Sequence, residues 1–216
     1  FEGNPKARYI KISVSEAAGN FGSGREMYIF KVAGSETYLS GDINKDKKVD
    51  ENDLTSYLNY NGLRTGDSDF DYVSIGDVNE NGLIDAHDIS FAATRIGDGV
   101  HESADNKVAG NITIEADERR YKAGEEVVIT ISGHDLANVN AFSLALPYDA
   151  SEYDFIGIEP LNTGNMSNYS KNRMHTNGKT IVYPTFVNEG NQNTVNGDVE
   201  LAKVTLKAKK NVKFNI

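Results

Sequence analysis

Two acidic loops, in one register and 35 residues apart, constrain this chain more than any other feature. The first is Gly41-Asp42-Ile43-Asn44-Lys45-Asp46-Lys47-Lys48-Val49-Asp50-Glu51-Asn52-Asp53-Leu54, and the second is Gly76-Asp77-Val78-Asn79-Glu80-Asn81-Gly82-Leu83-Ile84-Asp85-Ala86-His87-Asp88-Ile89. Counted from Asp42 and Asp77, each places Asp or Asn at positions 1, 3, 5, 9 and 12. Calcium is a hard cation that takes six to eight oxygens in a flexible shell, and a tight twelve-residue loop supplies them at this spacing. The first ligand set is Asp42, Asn44, Asp46, the carbonyl of Lys48, Asp50 and Asp53. The second is Asp77, Asn79, Asn81, the carbonyl of Leu83, Asp85 and Asp88. The expectation is two calcium ions. A solvated acidic loop without metal is the competing reading, disfavoured because period, flanking residues and following helices agree.

The loops differ in detail. Loop 1 carries four carboxylates and loop 2 carries three, because Asn81 stands at position 5. Loop 1 has Lys47 where loop 2 has Gly82, at a position that requires a left-handed backbone costing a non-glycine residue about 1 kcal/mol. Charge therefore favours loop 1 and geometry favours loop 2. Val49 and Ile84 at position 8 are expected to face inward and bridge one another. A helix is predicted after each loop: Leu54, Tyr57 and Leu58 share one face before Gly62, and Ile89, Ala92, Ala93 and Ile96 share another. Between the repeats, Phe70, Tyr72 and Val73 are expected to plug the space between the helices.

An EF-hand has a helix on both sides of its loop, but the stretch before loop 1, Gly34-Ser35-Glu36-Thr37-Tyr38-Leu39-Ser40, has no helical period. Position 12 is Asp rather than Glu. The doubled half-motif Gly-Asp-x-Asn-x-Asp/Asn…Asp-Leu/Ile, over residues 37–100, resembles the dockerin family. The resemblance implies a calcium-stabilised helical module that docks onto cohesin modules. It also implies recognition through loop positions 10 and 11, here Glu51 and Asn52 in repeat 1 and Ala86 and His87 in repeat 2. These pairs differ, which argues for one preferred docking face.

From about Asn106 the period changes to two: Ile112 and Ile114; Val127, Ile129 and Ile131; Phe142, Leu144 and Leu146; Val204 and Leu206. Turn residues such as Lys122-Ala123-Gly124 and Asn196-Gly197-Asp198 separate the runs. An all-β sandwich follows. Tyr121-Lys122-Ala123-Gly124-Glu125-Glu126-Val127, the stretch from Asn138 to Pro147-Tyr148-Asp149, and Val199-Glu200-Leu201-Ala202-Lys203-Val204-Thr205-Leu206 together resemble the cohesin family. That resemblance implies a jelly-roll, protein-binding module that needs one closing strand beyond those seen before Ile216. Sugar binding is the alternative, but it uses aromatic platforms. The chain has no Trp, and Tyr153, Tyr169 and Tyr183 in alternating runs read as packing.

Residues 1–36 hold two strand-like runs around a glycine-rich turn. Ala7-Arg8-Tyr9-Ile10-Lys11-Ile12 and Gly22-Ser23-Gly24-Arg25-Glu26-Met27 resemble the last strands of a discoidin-type sandwich. The expected organisation is multidomain: a short β remnant at 1–36, a small α calcium-loop dockerin-like domain at 37–103 and an all-β cohesin-like jelly-roll sandwich at 104–216. The last two are expected to pack side by side, with docking between chains, and removing calcium is expected to melt residues 37–100 while sparing the sandwich.

Composition narrows the function classes. Net charge is −10, and residues 37–100 hold 13 acidic and 5 basic residues. The excess thus belongs to the loops, and it argues against nucleic acid as a partner. No cysteine means no disulfide, zinc-thiolate site or cysteine nucleophile. His87, His101, His134 and His175 fall at no metal or triad spacing and read as surface residues. No phosphate loop or nucleophile elbow occurs. No apolar run is long enough to span a membrane. The expectation is a non-catalytic, calcium-binding assembly region at the C-terminus of a secreted, periplasmic or cell-surface bacterial glycoside hydrolase. Its partners would be cohesin or dockerin modules of the same or another chain, with carbohydrate reached through the parent protein. An adhesin or carbohydrate-binding tail with purely structural calcium is the alternative.

Overall fold

A computed structural model describes residues 38–96, 107–117, 119–189 and 194–214. The chain divides into two compact units, 1–36 and 37–216. The discoidin-type resemblance and His101 lie outside the described residues.

Each acidic loop leads directly into a helix. Helix α1 (Glu51–Tyr60) starts at Asp50, whose side chain accepts from the Asn52 N–H, while the Asp53 side chain returns to the Asp50 N–H. Helix α3 (Ala86–Ala93) starts the same way, with Asp85 and Asp88. Such reciprocal caps satisfy donors that a helix start leaves free. Between them lie the single turn α2 (Phe70–Val73) and a 3-10 turn over Ser74–Gly76.

The apolar faces depart in places from the expected ones. Leu54, Tyr57, Ile89, Ala92 and Ala93 are buried, but Leu58 is 38% exposed. Phe70 and Val73 plug the core, whereas Tyr72 is 53% exposed and carries the Lys45 ammonium 4.3 Å above its ring. A four-residue helix presents only one face inward, and Phe70 and Val73, three apart, take it.

The second half is the expected all-β sandwich. Its principal sheet is antiparallel, in the order β1 (Ala109–Ala116), β3 (Glu126–Val139), β11 (Val195–Ala208), β6 (Tyr153–Pro160). The inward residues of β3 and β11 are Val127, Ile129, Ile131, Val204 and Leu206, as their alternation requires. Opposite it lie two three-stranded sheets. One is β4 (Ala141–Ser143), β10 (Thr185–Val187) and β7 (Ser167–Asn168); the other is β5 (Leu146–Tyr148), β9 (Thr180–Tyr183) and β8 (Lys171–Met174). The expected continuous strand through Phe142 and Leu146 is interrupted after Ser143. Pro184, which has no N–H to donate, divides β9 from β10 beside the break, and the Leu144 N–H bonds its carbonyl. A short ribbon, β2 (Arg120–Tyr121) with β12 (Val212–Lys213), completes the unit. Asn196-Gly197-Asp198 is not a turn but a bulged stretch inside β11, with Gly197 at φ 80° and the register slipping on both sides.

Two buried clusters organise residues 37–216. One lies between the sheets around Ile129, Ile131, Val182, Phe186, Leu201 and Val204. The other gathers Ile43, Leu54, Tyr57, Phe70, Val73, Ile84 and Ile89, and it also takes in Tyr169 and Val187 of the sandwich. The helical half and the sandwich therefore share a hydrophobic core.

Candidate metal centre

The two acidic loops fold alike. Asp42 at position 1 accepts from the N–H groups of Asp46 and Lys47 at 3.0 and 2.9 Å; Asp77 accepts from Asn81 and Gly82 at 3.0 and 2.8 Å. Asn44 and Asn79 each accept from the N–H two residues on, and so do Asp46 and Asn81. The backbone is left-handed at position 4 (Lys45, φ 64°; Glu80, φ 57°) and again at position 6 (Lys47, φ 77°; Gly82, φ 82°). Lys47 thus takes the strained conformation its position requires.

Position 12 closes each loop back on its start. Asp53 accepts from the N–H groups of Asn44 and Asp50, and Asp88 from those of Val78 and Asp85. Helix capping alone explains positions 9 and 12 but not positions 1, 3 and 5. Asp42, Asp53, Asp77 and Asp88 are all buried, and among the described residues none has an ion-pair partner. A buried carboxylate without a counter-ion is costly, and it gives up its charge unless a cation is near. Burial accordingly raises the Asp53 carboxyl, and it pushes Asp88 up to about 7 with help from the charges of Asp85 and Asp77, against the hydrogen bonds from Asp85 and Val78.

The donor set fits a hard cation: carboxylate and amide oxygens, with the Lys48 and Leu83 carbonyls at position 7. Charged side chains alone do not compose it. Among the described residues no three His, Cys, Asp or Glu side chains form a metal-holding group, so any cation here would also draw on Asn and carbonyl oxygens.

The expected bridge between the position-8 residues is replaced by another pairing. Ile84 is fully buried, and its N–H and C=O bond the Leu63 carbonyl and the Gly62 N–H at 2.9 and 2.8 Å. Arg64 and Leu83 form the adjoining bridge, and Val49 lies outside any strand. The segment after α1 has taken the place expected for the twin loop.

The docking positions separate. Glu51 and Asn52 are exposed at the start of α1. Ala86 is buried and His87 exposed. Both line a cleft of about 480 Å³ between α3 and the sandwich, with Asn140, Phe142 and Ser143 on its far wall. Repeat 2 thus turns toward its own sandwich, and repeat 1 faces solvent at these positions.

His175 is buried, not a surface residue. Its Nδ1 meets Asp67 Oδ2 at 2.7 Å, and its Nε2 meets the Tyr183 hydroxyl at 2.9 Å. Arg173, also in this contact, donates through Nε to the Asn61 carbonyl and through Nη2 to the Asn59 carbonyl. Nothing in the polar run Lys171-Asn172-Arg173-Met174-His175 marks these residues, because their partners Asn59, Asn61 and Asp67 are more than a hundred positions away. Tyr153, Tyr169 and Tyr183 are buried, so none of them offers a sugar platform. His87 and His134 are exposed as expected.

Residues 110–216 match the cohesin domain family. The sandwich half of the chain is thus similar to cohesin domains. Among solved structures, the seventh ScaB type I cohesin from Pseudobacteroides cellulosolvens is similar at 21% identity, covering 45% of this chain and 65% of that one, with a TM-score of 0.35. Two type I cohesin–dockerin complexes from Clostridium thermocellum are similar as well. The OlpC complex matches at 21% identity, 50% and 71% coverage and a TM-score of 0.34. The OlpA complex matches at 16%, 48% and 76%, with a TM-score of 0.34. No curated protein matches the chain. Among the described residues, no helix is long and apolar enough to cross a membrane.

Proposed function

We propose that residues 37–216 are a calcium-binding assembly region in which a dockerin-like pair of loops accompanies the cohesin domain. One observation carries this reading: two loops of the same backbone form bury four aspartates that have no cationic partner in the described structure. Two calcium ions supply the missing charge. They take Asp42, Asn44, Asp46, Lys48 C=O, Asp50 and Asp53 in one loop, and Asp77, Asn79, Asn81, Leu83 C=O, Asp85 and Asp88 in the other. Direct or water-mediated coordination through these oxygens is the chemistry calcium prefers.

The partners are dockerin or cohesin modules, in the same chain or another. The setting is a bacterial secreted, periplasmic or cell-surface protein, where calcium is abundant enough to fill weak sites, and the parent chain is a glycoside hydrolase that reaches carbohydrate through its other domains. Calorimetric titration of the metal-stripped protein with calcium tests the core of this reading. Two ions per chain are expected; a chain that takes up none refutes it.

A further inference from the structure

Loop 2 is strapped to a segment that itself grips the sandwich. Its residues Gly82, Leu83 and Ile84 pair with residues 62–65: the Gly62 N–H bonds the Ile84 carbonyl, the Ile84 N–H bonds the Leu63 carbonyl, and the Thr65 N–H bonds the Gly82 carbonyl at 2.9 Å. The same short strap meets β8 and β9. A Cβ on Gly62 would lie 2.4 Å from the Tyr183 ring, so the bare backbone rests directly on that ring. Asn61 Nδ2 donates to the Tyr169 carbonyl at 2.8 Å, and Arg173 Nε donates back to the Asn61 carbonyl. Asp67 receives both His175 Nδ1 and the Thr176 N–H, at 2.7 and 3.1 Å. Helix α3, which starts from the last positions of loop 2, packs on β4 and β10. Tyr169 and Val187 belong to the helical core.

Loop 1 touches the sandwich differently: its Ile43 shares the buried cluster with Tyr169 and Val187, but among the described residues its backbone makes no hydrogen bond to the strap. The hydrogen bonds that its aspartates accept stay within residues 42–53, and the strap begins only after the ten residues of α1.

We propose that residues 61–96 are a built-in occupant of the sandwich face formed by β4, β8, β9 and β10, and that calcium in loop 2, not loop 1, holds this occupant in place. The proposal rests on the calcium reading above. A metal bound through Asp77, Asn79, Asn81 and the Leu83 carbonyl fixes the strand partner of the strap and the start of α3 together. Loss of the metal frees both contacts at once, because a ligand stabilises only the conformation that binds it. The closed face carries Tyr169, Tyr183 and Val187, all buried, so closure removes an apolar surface from the reach of other proteins. At high calcium this face is unavailable to any partner in trans. At low calcium it opens.

Hydrogen exchange of the whole chain tests this, read at residues 180–187 against the central strand pair at 127–131 and 202–206. Chelation with EGTA, and Asp77→Ala in the presence of calcium, are each expected to speed exchange at 180–187 at least about tenfold while the central pair stays protected. Asp42→Ala is expected to change residues 180–187 less than about twofold. Arg173→Ala, which leaves every metal ligand intact, should open the same residues with two calcium ions still bound. The inference is overturned if residues 77–88 lose protection on chelation while 180–187 do not. It is also overturned if Asp42→Ala opens the face as much as Asp77→Ala, or if Arg173→Ala has no effect there. Absence of any calcium response in either loop would remove the calcium reading itself, and this inference with it.

Discussion

Asp88 illustrates how one residue serves two ends. It completes the α3 capping box and closes the second loop. Asp88→Ala should therefore cost about 1 kcal/mol even without calcium, from the lost cap, and should also lower the calcium stoichiometry from two to one. Urea unfolding in chelator and calorimetry in calcium separate the two effects. Asp67 acts differently. Burial alone would raise its carboxyl, but the hydrogen bonds from His175, Thr176 and Arg64 hold it below the ordinary carboxylate range. A depressed folded pKa stabilises the fold above the unfolded value near 3.8, and that stability is lost as pH falls through the lower folded value. The difference in urea midpoint between the protein and Asp67→Asn should therefore be full at about pH 5 and shrink steadily toward about pH 2.5. A difference that stays constant across this window would contradict the assignment. The shared backbone form of the two acidic loops was legible in the sequence because such loops are local, their geometry fixed by spacing along a short stretch. The Asp67–His175–Tyr183 cluster was not. Its members are isolated polar residues in unremarkable runs, joined only when β8 and β9 meet the segment after α1.

At the level of elements, period carried the reading. Alternation placed β3 and β11 with their inward faces correct, and the apolar period located a helix after each loop; the Asp50–Asp53 and Asp85–Asp88 caps start these helices at Glu51 and Ala86, ahead of the Leu54 and Ile89 from which the period is read. The errors share one cause: backbone geometry decided by a distant neighbour. Gly62 reads as a helix stop, and it is one, at φ 79°, yet it also admits the Tyr183 ring against the backbone. Gly62→Ala should lower stability by about 2 kcal/mol, about half from the left-handed conformation and the rest from the steric clash. Thermal unfolding would measure it, and an unchanged midpoint would show that the ring moves aside freely. Likewise Val49 and Ile84 look like twins in sequence, but Ile84 pairs with the strap after α1. The Asn196-Gly197-Asp198 bulge looks like a turn because the same residues serve both. Only the pairing of β11 with β3, where Asn196 and Asp198 accept from the Asn138 and Asp135 N–H groups, tells them apart.

At the scale of residues 38–214, the helical half and the sandwich do more than pack side by side. The helical half encloses sandwich residues in its core, and its polar contacts include the buried His175. Calcium removal is therefore expected to weaken both halves, not to melt residues 37–100 and leave the sandwich as it was. Binding linkage sets the scale: about 2.7 kcal/mol for one ion at a hundredfold excess over its Kd. The two repeats are alike in backbone form and unlike as surfaces, one turned to solvent and the other to its own chain. Thermal unfolding of the full chain in calcium and in EGTA tests the central claim most directly. The account predicts a clear rise in Tm with calcium, with the helical and sandwich signals shifting together; identical curves in calcium and chelator would contradict it.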